Sequence, residues 1–139
     1  MSNDLLSSLE VGASASIAKT ITDADIVLFA GVSLDTNPAH LDEVQASASR
    51  FGGRIAHGML SAGLISAVLG TRLPGPGTVY MGQQLRFLAP VRPGDTVCAT
   101  ATVTAIDPER RRVTLSTTCH VGDTTVIDGE ALVWVPAPN

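Results

Sequence analysis

Apolar and polar residues alternate loosely from Val11 to Ile21, which predicts a first strand at a sheet edge. The period then lengthens. Thr22 reads as a helix N-cap with Asp23 and Asp25 in the first turn, and Ile26, Val27, Phe29 and Ala30 supply an apolar stripe as far as about Val32. Pro38 forbids continuation through Leu34–Leu41, and Asp42 caps a second short helix to about Arg50, stopped by Gly52-Gly53. From Ala56 to Leu69 the apolar positions run nearly all the way round, the mark of a buried helix, with Ser61, Ala62 and Gly63 small enough to admit another backbone and Gly70 as C-cap. After the Pro74-Gly75-Pro76-Gly77 loop the period becomes two. Thr78–Ala89, Thr96–Ile106, Arg112–Val121 and Thr124–Val135 read as strands, punctuated by Pro93-Gly94-Asp95, Asp107-Pro108-Glu109 and Gly122-Asp123. The pattern predicts one α+β domain over residues 1–139: a long central helix wrapped by an antiparallel β-sheet.

Composition adds one qualification. Hydrophobic residues make up 45% and charged residues 16%, with a mean hydropathy of +0.28. That implies a thick core or apolar surface buried against another subunit. Net charge is -4, which offers nucleic acid no basic face, and Arg110-Arg111-Arg112 reads as a solvated hairpin tip. Cys98 and Cys119 fit no disulfide framework or zinc spacing and read as small buried residues. No secretory leader and no membrane span is predicted, so a cytoplasmic protein is expected.

The chemistry concentrates in Leu34–Leu60, with two of the three histidines. Asp35 and His40 lie in a turn stiffened by Pro38, where Asn37 can bond nearby backbone. A carboxylate and an imidazole can share one water, one accepting its proton while the other donates. Gly58 opens the buried helix, where free N–H groups suit a developing oxyanion and the missing side chain admits a ligand. Local pattern alone also accommodates a turn role for Asp35, a structural role for His40, a cap or packing role for His57, and a metal set of Asp35, His40, Asp42 and His57 that matches no recognised ligand spacing.

Three segments, Phe29-Ala30-x-x-Ser33-x-Asp35-x-Asn37-Pro38-x-His40-x-Asp42, Ile55-Ala56-His57-Gly58-Met59-Leu60 and Gln84-x-x-Phe87-x-x-Pro90-Val91-x-x-Gly94-Asp95, together resemble the MaoC-like (R)-specific enoyl-CoA hydratases over about residues 15–136. Leu34 departs from the pattern, since many members carry Gly before the acidic residue. The resemblance implies a hot-dog fold, a homodimer joined sheet to sheet, and reversible hydration of a trans-2-enoyl-CoA thioester without a metal or organic cofactor. It implies that Asp35 and His40 hold and activate water, Gly58 polarises the thioester carbonyl, Asn37 orients the loop and Ser66 lines the acyl pocket. A hot-dog thioesterase, a non-catalytic acyl-CoA-binding protein and an acyl-carrier-protein dehydratase are the competing expectations. Polyester precursor supply, fatty-acid oxidation and a specialised catabolic step are all compatible pathways.

Overall fold

The computed structural model describes residues 4–139. A 3-10 turn at Leu6–Ser8 precedes β1 (Ser14–Thr20), α1 (Asp23–Ser33), α2 (Pro38–Leu41), α3 (Glu43–Ser47), α4 (Gly58–Thr71), β2 (Val79–Phe87), β3 (Thr96–Asp107), β4 (Arg112–Val121) and β5 (Thr124–Trp134). The strands form one antiparallel sheet in the order β1-β3-β4-β5-β2, curled around α4. Period-two alternation explains its inner face. Val97, Ala99, Ala101 and Val103 of β3 and Val113, Leu115, Thr117 and Cys119 of β4 are all buried. They meet Ala62, Ile65, Val68 and Leu69 of α4, and Ala99 and Ala101 of β3 leave room for the helix to approach the sheet. On the outer face, paired hydroxyls cross from β1 to β3: Ser14–Thr102 at 3.1 Å, Ser16–Thr100 at 2.7 Å and Thr20–Thr96 at 2.7 Å.

Thr22 caps α1 as its position predicts. Its hydroxyl accepts from the Asp25 N–H at 3.1 Å, and its own N–H donates to Asp25 Oδ2 at 2.9 Å, a reciprocal capping box. Four expectations need correction. First, α1 buries only Ile26 and Ala30 and leaves Val27 and Leu28 exposed, because it lies on the flank of the fold and turns a narrow stripe inward. Second, Pro38 starts a helix rather than only interrupting one. It occupies the first helical position of α2, where a missing N–H is harmless, behind Asn37 as N-cap. Third, α4 is not enclosed all round: Gly63, Ser66 and Gly70 form an open stripe, and Gly70 lies inside the helix, which ends two residues later at a cap on Arg72. Fourth, Arg111 is no free hairpin tip. Its guanidinium bonds the Val135 carbonyl at 2.8 Å and pairs with Asp4, which ties the tip to the N-terminal segment.

The two sheet edges differ. β1 carries the hydroxyl rungs, whereas β2 is exposed over most of its length and presents Val79, Tyr80, Met81 and Phe87 to solvent beside Trp134 of β5.

Candidate active site

A cleft of about 430 Å³ opens at the N-terminal end of α4. Asp35, His57, Gly58 and Ser61 line one side, and Phe87, Leu88, Val91 and Ile127 line the other. The loop that carries the acid is built by local chemistry. Leu34 ends α1 in the left-handed region (φ 65°, ψ 12°), the conformation glycine reaches without strain. This reversal turns the chain, and Asp35 is then held at both ends. Its N–H donates to Ser33 Oγ at 3.1 Å, and its Oδ1 accepts from the Asn37 N–H at 3.3 Å. Asn37 Oδ1 in turn accepts from the Ala39 N–H at 3.0 Å and starts α2, which delivers His40 inward.

Both imidazoles are oriented by backbone carbonyls, which can only accept. His40 Nδ1–H therefore donates to the Ile55 carbonyl at 2.7 Å, leaving Nε2 as its basic nitrogen. His57 Nε2–H donates to the Asp35 carbonyl at 2.8 Å, leaving Nδ1 as its acceptor. The two rings stack at 3.8 Å between centroids and 28° between planes, and Phe29 packs against His57 at 4.8 Å. His57 is 2% exposed and His40 8% exposed. His57 thus supports both members of the Asp35–His40 pair.

Two arginines brace this arrangement. Arg54 donates from Nε to the His40 carbonyl at 2.7 Å and pairs through its far end with Asp23 at the start of α1. Arg92 donates to the Gly53 carbonyl at 3.1 Å and also to the Phe51 carbonyl. The Ala56 N–H donates to the Val91 carbonyl at 2.7 Å, which fixes the entry to α4. Gly58 follows as the first residue of that helix, with an N–H that has no acceptor within it. A Cβ built on Gly58 would fall 2.5 Å from Phe87 Cε1, so the ring lies directly over this backbone.

Asp35, His40 and His57 bring one ligand-type atom each within 4.8 Å of one another. Each of the two stacked imidazoles already commits one ring nitrogen to a backbone carbonyl. Asp42 is absent from that cluster; it caps α3 through the Gln45 N–H at 3.1 Å. The arrangement suits water activation: a carboxylate beside an imidazole whose Nδ1–H is committed to a carbonyl, and a backbone N–H at the mouth of a mostly apolar cleft.

Of the residues the sequence pointed to, Asp35 and Gly58 line the cleft, while Asn37 bonds Asp35 and His40 lies beside Asp35 and His57 just outside the lining. Ser66 does not: it sits on the exposed stripe of α4, away from the cleft wall. Phe87 was legible only as part of a motif, without a role. Arg54 and Arg92 carried no signal in local pattern, because their partners are distant carbonyls.

A family model described as a MaoC like domain matches residues 8–124. An (R)-specific enoyl-CoA hydratase of Rhodospirillum rubrum is 63% identical over 129 residues, covering 93% of this chain and 90% of that protein. A 3-hydroxybutyryl-CoA dehydratase of Methylorubrum extorquens is 57% identical, covering 92% and 82%. Among solved structures, an (R)-hydratase from A. caviae involved in PHA biosynthesis superposes with a TM-score of 0.90 at 43% identity, covering 93% of this chain and 98% of that one.

Proposed function

The chain belongs to the MaoC-like domain family and has its hot-dog fold, and from this premise we propose that it is an (R)-specific enoyl-CoA hydratase. The reaction is reversible addition of water to a trans-2-enoyl-CoA to give the (R)-3-hydroxyacyl-CoA. The observation that carries this reading is that Asp35 and Gly58 line one cleft, with His40 stacked on His57 and within reach of Asp35.

In the proposed mechanism the thioester oxygen accepts from the Gly58 N–H, at the positive end of the α4 dipole. A water lies between Asp35 and His40. His40 Nε2 takes one of its protons as the water oxygen bonds to C3. The C2=C3 electron pair moves toward the carbonyl, giving an enolate held by Gly58. The pair then returns a proton through the Asp35 carboxyl to C2, so that H and OH of one water have been added and both side chains end as they began. Asn37 holds the loop, and the Ile55 and Asp35 carbonyls fix the tautomers of the two imidazoles. The thioester itself acidifies C2, so the mechanism uses no metal or organic cofactor.

Purified protein is expected to consume crotonyl-CoA, seen as loss of the enoyl-thioester absorbance, without release of free thiol. Thiol release would point to a thioesterase, and no loss at any chain length defeats the hydratase reading. Asp35→Asn and His40→Ala should each lose most activity while unfolding as cooperatively as wild type.

The same reading takes the protein as a one-domain homodimer acting in the cytoplasm, in fatty-acid or polyhydroxyalkanoate metabolism. The exposed apolar edge at β2 supports sheet-to-sheet pairing, because an uncovered strand of this kind is a template for another. No helix among the described residues is long and apolar enough to cross a membrane.

A further inference from the structure

Arg50 borders the cleft that Asp35 and Gly58 also line, and among the described residues it is the only lysine or arginine to do so. It is exposed, so it stands at the mouth rather than on the floor. Its guanidinium makes no hydrogen bond and no ion pair with any described residue; what it does meet is the face of Phe51, with Cζ 5.2 Å from the ring centroid. In a chain of net charge -4 this is unusual. Five of the nine lysines and arginines pair with a carboxylate, and Arg72 and Arg92 bond backbone carbonyls. The acids nearest Arg50 in the chain are spent elsewhere. Asp42 accepts from the Gln45 N–H at 3.1 Å, and Glu43 accepts from the Ser47 hydroxyl at 2.9 Å and the Arg54 N–H at 3.3 Å. The loop that presents Arg50 is nonetheless fixed. The Phe51 N–H donates to Ser49 Oγ at 3.2 Å, the Gly52 N–H donates to the Ser49 carbonyl at 3.1 Å, and Arg92 holds the carbonyls of Phe51 and Gly53. A planar fork of N–H donors on a fixed loop, with no acceptor of its own, matches an oxyanion such as phosphate.

We propose that Arg50 is a phosphate subsite, which binds the diphosphate of CoA at the end of the pantetheine arm while the thioester lies at Gly58. This rests on the hydratase reading above. Arg50 and Gly58 border one cleft, so a single extended molecule can meet both. The cleft, about 430 Å³ and mostly apolar, suits the acyl thioester and its uncharged arm. Charge does not enter an apolar site unpaired, so the anionic end of the substrate stays at the mouth, where Arg50 stands. Of the phosphates of CoA, the diphosphate is nearer to the thioester along the arm, and one guanidinium can bond two of its oxygens. The Phe51 ring beneath the guanidinium limits its motion, so less freedom is lost when the anion binds.

The test compares kcat/KM for crotonyl-CoA, crotonyl-3′-dephospho-CoA and crotonyl-pantetheine in wild type, Arg50→Gln and Arg50→Lys. The pantetheine thioester lacks every phosphate, whereas the dephospho thioester keeps the diphosphate. In Arg50→Gln the ratio of crotonyl-CoA to crotonyl-pantetheine should fall about tenfold, through KM, the scale of one charge-assisted hydrogen bond. The dephospho thioester should fall with crotonyl-CoA. Arg50→Lys keeps the charge and should stay within about threefold of wild type. Added salt should lower the wild-type ratio and leave that of Arg50→Gln flat. A ratio in Arg50→Gln unchanged within about twofold overturns the proposal. So does a loss shared equally by crotonyl-pantetheine, since a disturbed loop would then explain it, and so does a loss that spares the dephospho thioester. A crotonyl-carrier protein, whose arm also ends in phosphate, separates the two sources: an Arg50 effect on it with none on crotonyl-CoA overturns the assignment to CoA. If wild type turns over no enoyl thioester, the hydratase reading fails, and calorimetric titration with butyryl-CoA decides the role of Arg50 by itself. A Kd about tenfold higher in Arg50→Gln than in wild type upholds the subsite, and an equal Kd overturns it. Binding of butyryl-CoA by neither protein overturns both readings.

Discussion

Gly58→Ala is the most informative single change. The added methyl would lie 2.5 and 2.6 Å from two Phe87 ring carbons, well inside van der Waals contact, so the ring must move. It can: Phe87 is 54% exposed and has solvent to swing into. Alanine in the first turn of α4 also recovers up to about 1 kcal/mol of helix propensity over glycine. Stability should therefore stay within about 1 kcal/mol of wild type. Activity should not. The methyl and the displaced ring both stand where the thioester approaches the N–H, and losing one oxyanion donor typically lowers kcat by about 10²–10³-fold. The assay is crotonyl-CoA hydration beside thermal unfolding, in Gly58→Ala, Phe87→Ala and the double variant. If Gly58→Ala keeps activity within about threefold, this backbone is not the oxyanion donor. If Phe87→Ala restores the activity of Gly58→Ala, the loss came from the ring rather than from obstruction at the N–H, and the reasoning fails.

Leu34→Gly should raise stability by about 0.5 kcal/mol in thermal unfolding. It removes about 1–2 kcal/mol of left-handed strain and returns about 0.5–1 kcal/mol of glycine chain entropy, and Leu34 is 81% exposed, so little packing is lost. Asp25 is held below the ordinary carboxylate range, first by the Lys19 ammonium and then by the Thr22 N–H. A lowered folded pKa contributes stability above the unfolded value near 4, and this is lost as pH falls through the folded pKa. Asp25→Asn should therefore be less stable than wild type at neutral pH, with the gap closing as pH falls below the ordinary carboxylate range; a gap that widens in acid contradicts the assignment. Burial pushes the Cys119 thiol up to about 12, with Cys98 adding to it. In the native protein at pH 8 a thiol reagent should modify Cys98, which is partly exposed, and spare Cys119 until the protein unfolds.

The sheet was legible because its signal is local. Val97, Ala99, Ala101 and Val103 alternate without interruption, and each is buried in the fold. Thr22 was legible for the same reason, since a cap and its partner sit three residues apart. Gly70 misled because a glycine ends a helix only where the chain turns left-handed, and here it continues in a helical conformation to Thr71. Ser66 was named from the resemblance alone, and in this single chain it lies on the exposed stripe of α4, outside the residues that line the cleft. For the site, residue types in Asp35–His40 suggested chemistry. The imidazole tautomers come from carbonyls of Ile55 and Asp35, one of them fifteen residues from its histidine and the other twenty-two. Such partners leave no trace in spacing.

The Arg54 clamp makes the site answerable to a distant surface. One guanidinium grips the His40 carbonyl with Nε and Asp23 with its far end, so the first turn of α1 and His40 are joined through a single side chain. Asp23 lies outside the cleft lining and is mostly exposed, a position where drift would ordinarily go unnoticed. Through Arg54, neutral-looking variation at that position reaches the geometry of the catalytic loop. Under the proposed mechanism, a substitution at Asp23 reaches His40 through Arg54 without altering any residue that lines the cleft.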